Sequence, residues 1–184
     1  MFEQLTELAQ QFGVESVIKN NAVPKEKNEA VIGEASHSIV RGLQKIASEG
    51  GVDQLANLFQ GNNADDKSNI VVQKLSSELT DNLAQKFGLS ASDASGIATK
   101  LIPQIISALV SKAKDPNDSS FQISDIIGAI SGGNNAGIMD AINKYGGQFG
   151  LDQNGDGNID LNDAMDAVSK KSGLGGMLGG MFGK

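Results

Sequence analysis

Four carboxylates fall within the twelve residues Asp152-Gln153-Asn154-Gly155-Asp156-Gly157-Asn158-Ile159-Asp160-Leu161-Asn162-Asp163. Asp152, Asn154, Asp156, Asp160 and Asp163 stand at positions 1, 3, 5, 9 and 12 of that stretch, and Asn158 at position 7 offers its backbone carbonyl. Calcium takes roughly six to eight oxygen ligands, and this spacing gathers such a set from one short loop. Gly157 at position 6 permits the sharp turn, and Ile159 at position 8 supplies an apolar anchor. Without a cation the four charges repel one another, which argues against a turn that binds nothing. Asp160 and Asp163 also stand at the N-cap and third positions of a helix running through Ala164, Met165 and Val168, so ion binding would fix a helix start. The expected metal ligands are therefore Asp152, Asn154, Asp156, Asn158, Asp160 and Asp163. Asp163 occupies the place where such loops carry Glu, one methylene shorter, and the expected outcome is weaker calcium binding with tolerance of magnesium.

Little other chemistry is available. The absence of Cys rules out disulfides, thiolate metal sites and a Cys nucleophile, and a single His rules out a His-rich metal cluster. No base, nucleophile or oxyanion donor accompanies the acidic loop, so a hydrolase built on it is disfavoured and no enzymatic activity is expected. His37 reads as a solvated surface residue beside Glu34 and Arg41. A net charge of −7 and a pI near 4.6 argue against a nucleic-acid partner. Lys112, Lys114, Lys170 and Lys171 read as scattered solvated charges, not as a basic patch.

The elements that must carry the loop are helical. Apolar residues recur at helical spacing in Phe2, Leu5, Leu8, Phe12, in Ile32, Ala35, Ile39, Leu43, Ile46, and in Val72, Leu75, Leu79, Leu83, Phe87. No segment alternates with period two, which predicts an all-α fold with no sheet beyond a residue or two around Ile159. Gly13 and Gly88 follow Phe at expected helix ends, Pro24 suits a first helical turn, and Ser90-Ala91-Ser92-Asp93 reads as a capping box with Asp for Glu. Pro103 either starts a helix or kinks one spanning about Ser92 to Lys112.

Leu8-Ala9-Gln10-Gln11-Phe12-Gly13-Val14 returns as Leu83-Ala84-Gln85-Lys86-Phe87-Gly88-Leu89, with a shorter echo at Gln148-Phe149-Gly150-Leu151. Downstream, Ile39 to Leu43 parallels Ile105 to Leu109, and Leu55 to Gly61 parallels Ile126 to Gly132. The organisation expected is a helical domain over 1–145 built from two related units, 1–61 and 70–135, then the calcium loop and its helix over 146–171, then a Gly/Met-rich tail over 172–184. In that tail Leu174, Met177, Leu178, Met181 and Phe182 share one helical face, backed by Gly175, Gly176, Gly179 and Gly180. Each Gly costs about 1 kcal/mol of helix propensity, so such a helix forms only when docked: on its own domain, on a second copy, or, through residues 173–183, on a partner or membrane surface.

The longest strongly apolar stretch, Leu101 to Val110, is interrupted by Pro103 and Gln104 and is short of the ~20 residues that span a bilayer. No transmembrane segment is expected. The acidic start Met1-Phe2-Glu3-Gln4 does not read as a secretory signal, so a cytoplasmic location is expected.

Phe87-Gly88-Leu89-Ser90 with the aliphatic helix after it, Gly42-Leu43-Gln44 followed by Gly50-Gly51, and the Gly-Leu-Gly-Gly tail from Gly173 together resemble the YidB-like family of small helical bacterial proteins of unknown function. The resemblance covers about residues 30–145 and the tail. It implies an orthogonal multi-helical array and supplies no activity and no site residues. The loop at 152–163 resembles EF-hand loops, and Asp163 with the weak approach Tyr145-Gly146-Gly147-Gln148-Phe149-Gly150 makes it more similar still to a dockerin loop. A single loop with a Gly-rich approach departs from both patterns, so neither a calmodulin-like opening nor a cohesin-type partner is carried over.

Overall fold

The computed structural model describes residues 2–59, 64–115, 126 and 130. The chain divides into two units, Met1–Ile138 and Met139–Lys184, and every described residue lies in the first. The described residues are helical with no strand, which bears out the all-α expectation. The acidic loop 152–163, the helix expected after it and the tail lie outside the described residues.

Among the described residues the first unit has five α-helices with described bounds: α1 (Phe2–Gly13), α2 (Asn28–Ser48), α3 (Val52–Phe59), α4 (Ile70–Phe87) and α5 (Ala91–Lys114). Their stripes bury as the periodicity predicts. Ile32, Ala35, Ile39, Leu43 and Ile46 of α2 are buried, as are Val72, Leu75, Leu79 and Leu83 of α4. The core is aliphatic, and its largest fully covered side chains are Leu and Ile alone. On α1 only Leu5 and Leu8 of the stripe are fully inside, while Phe2 remains 41% exposed. The helix α5 is the centre of the unit, packing on α1, α4 and, less extensively, α2 and α3. Ile97, Ala98, Leu101, Ile102, Ile105, Ile106 and Leu109 give it a wide buried face.

That width bears on two points of the sequence reading. Of the two alternatives for Pro103 the structure takes the second: it starts no helix but lies buried inside one running from Ala91 to Lys114, close to the expected Ser92 to Lys112. Burial of the surrounding aliphatic face offsets the roughly 3 kcal/mol that an internal proline costs. The full helix is also long and apolar enough to cross a membrane by length and composition, although no such segment is expected from Leu101 to Val110 alone. Over half of its most apolar window, at a mean hydropathy of 1.3, is buried inside the unit, as for a core helix.

The helix ends show which local signals carry. Gly88 closes α4 in the left-handed conformation at φ +69°, its N–H donating to the Ala84 carbonyl. Ser90 then caps α5: its Oγ accepts from the Asp93 N–H at 3.1 Å and donates to the Asp93 carboxylate at 2.6 Å. The expected box is present, with Asp93 too short to reach the Ser90 backbone and binding the hydroxyl instead. Pro24 stands just before a 3-10 turn, Lys25–Lys27, that leads into α2. The other Phe-Gly break differs. Gly13 is right-handed (φ −68°, ψ −22°), and the chain continues through a π-helical turn, Val14–Ile18. A Cβ at Gly13 would lie 2.8 Å from the Ile32 side chain, so this glycine serves the close approach of α2, not a turn.

The order of an entering helix and then a longer one recurs as α1, α2 and α4, α5, but the joints differ: residues 14–27 separate the first pair and residues 88–90 the second. Of the third helix expected in the second unit, Ile126 and Ile130 are described, both helical and buried.

Candidate functional site

The six ligands expected from the sequence, Asp152, Asn154, Asp156, Asn158, Asp160 and Asp163, all lie outside the described residues, as do the tail residues 173–183. Among the described residues no group of three or more His, Asp and Glu side chains is placed to hold a metal ion.

What the structure does bring together is a polar seam between α2 and α4. Glu34, Ser38 and Arg41 follow at spacings of four and three along α2, and Glu78, Asn82 and Lys86 at spacings of four along α4. Both sets lie on one face of their helix, and the helices run antiparallel, so they meet in reverse order. Lys86 Nζ lies 2.9 Å from each carboxylate oxygen of Glu34. Asn82 Nδ2 donates to Ser38 Oγ at 3.0 Å, and Ser38 Oγ donates on to Glu34 Oε1 at 3.4 Å. Arg41 donates to Glu34 Oε1 at 2.6 Å, and its Nε lies 3.9 Å from Glu78.

The two carboxylates titrate in opposite directions. Burial pushes Glu34 up, but hydrogen bonds and charges from Lys86 and Arg41 outweigh it and hold the group below the ordinary 4.5. Burial dominates at Glu78 and raises it, with the Glu34 charge adding to the rise and Arg41 and Lys45 opposing it. At the tightest point of the seam is Gly42, where an added Cβ would overlap the Leu75 side chain and stand 3.0 Å from Glu78 Oε2. Five of the six side chains are joined by hydrogen bonds, with Glu78 3.9 Å from Arg41, and the seam fixes the register of α2 on α4.

His37 is exposed, as expected, but Glu34 and Arg41 are not its partners. Its Nδ1 is 2.9 Å from the Gly33 carbonyl, to which it donates, and its ring lies 4.4 Å from that of Phe2. The sequence reading missed the seam. Its signal was available in the polar positions of two helices at matching spacing, but it becomes visible only once α2 and α4 are known to be antiparallel neighbours.

The family described as bacterial protein of unknown function (DUF937) matches residues 69–184, well over half of the chain. The match begins at Asn69, whose side chain caps α4 by accepting from the Val71 N–H at 2.9 Å, and it spans α4, α5 and the acidic loop. No curated protein and no solved structure matches the chain.

Proposed function

This chain belongs to that bacterial family of unknown function, and we propose that it is a non-enzymatic calcium-binding helical protein with a structural or interaction role. The observation that carries the reading is the loop Asp152 to Asp163, which meets every defined position of the twelve-residue calcium pattern except the last. Asp152, Asn154, Asp156, Asp160 and Asp163 supply side-chain oxygens and Asn158 its carbonyl, with magnesium accepted more readily than in a loop ending in Glu. The likeness to EF-hand and dockerin loops supports the ion; Phe87-Gly88-Leu89-Ser90, Gly50-Gly51 and the glycine tail support a place near the YidB-like proteins. The acidic composition supports a partner other than nucleic acid.

Calorimetric titration of the full chain with calcium tests this reading. Saturable binding by millimolar calcium is expected, and Asp156→Ala should abolish it while leaving the helical signal of the first unit intact. No heat of binding at millimolar calcium would refute the assignment.

A second reading rests on the tail, where Leu174, Met177, Leu178, Met181 and Phe182 form one apolar face on a glycine-rich helix that is stable only when docked. Here calcium orders residues 152–171 and thereby docks or releases the tail onto a second copy, a partner or a membrane surface. Circular dichroism with and without chelator separates the two: a large helical gain with calcium marks the switch, and an unchanged spectrum a static site.

A further inference from the structure

We draw no further inference here: the strongest candidate, the groove beside α5 lined by Glu15 and Ser16 of the π-helical turn and by Asp65, Lys67, Lys100 and Pro103, carries nothing because its two lysines are balanced by its two carboxylates and nothing in the structure shows what covers it.

Discussion

Lys86 on α4 holds both carboxylate oxygens of Glu34 on α2 at 2.9 Å, across fifty-two residues of sequence. With Arg41 on the other side, the Glu34 carboxyl stays ionised below its ordinary 4.5 despite burial. A depressed carboxylate contributes stability that is present above its unfolded value and lost as pH falls through the folded one. Lys86→Met should therefore lower stability by roughly 0.5–1 kcal/mol at neutral pH, the ammonium being half-exposed and screened. The deficit should vanish below the folded value. Thermal unfolding from pH 7 to 3 reads this, and a deficit of constant size would assign it to lost packing.

Glu78 behaves in the opposite sense. Its raised carboxyl holds a proton more tightly in the folded state than in the unfolded one, so ionising it costs stability as pH rises just above 4.5. Glu78→Gln should raise the melting temperature slightly at pH 7 and leave it unchanged in acid. A lower melting temperature at pH 7 would show that the 3.9 Å approach of Arg41 outweighs the burial.

Gly42 and Gly33 lie in the same helix and should respond with opposite signs. Gly42→Ala places a methyl against the Leu75 side chain and the Glu78 carboxylate, and overpacking of this kind costs about 1–3 kcal/mol. Gly33→Ala meets nothing within 4 Å and gains about 0.5–1 kcal/mol of helix stability. Denaturant unfolding of the two variants checks the pair. Equal effects would mean that α2 can shift away from α4 without loss.

The helices were legible because their faces are made of Leu, Ile, Val and Ala at one period, with no alternating segment to compete. Gly88 and Ser90 were legible because the same residue type that signals the helix end also supplies its geometry. Gly13 was not, since a glycine required for close approach to Ile32 looks in sequence like one required for a left-handed turn. At Pro103 the sequence left a helix start and a single helix from about Ser92 to Lys112 both open, because the burial that offsets the proline in the continuous helix comes from α1 and α4, remote in sequence. The α2–α4 seam depends on antiparallel register, which no single helix encodes. The acidic loop lies outside the described residues, and the chemistry proposed for it rests on its twelve residues alone.

Ser90→Ala should cost about 1 kcal/mol, because it removes the acceptor of the Asp93 N–H and the hydroxyl that its carboxylate binds. Ser90→Asp should restore most of that loss at neutral pH, since a carboxylate also caps, but less completely, because it stands 2.6 Å from where Asp93 now finds a hydroxyl. Urea midpoints of the three proteins order them. If the aspartate variant matches the serine protein, the hydroxyl-to-carboxylate bond adds nothing to the cap.

Calcium should stabilise the protein in proportion to how far its concentration exceeds the dissociation constant. A ligand that binds only the folded loop contributes RT ln(1 + [L]/Kd), about 2.7 kcal/mol at a hundredfold excess. The origin is electrostatic: Asp152, Asp156, Asp160 and Asp163 repel when empty, and a divalent cation reverses that sign. Because Asp163 is one methylene shorter than Glu, Asp163→Glu should restore a second oxygen to the ion, tighten calcium and enlarge the shift, while making the site less tolerant of magnesium. Melting curves across a calcium series and a magnesium series, for both proteins, measure this directly. A shift that is the same size with either ion and unaffected by Asp163→Glu would mean that general screening of an acidic chain, not coordination by this loop, is what the cation supplies.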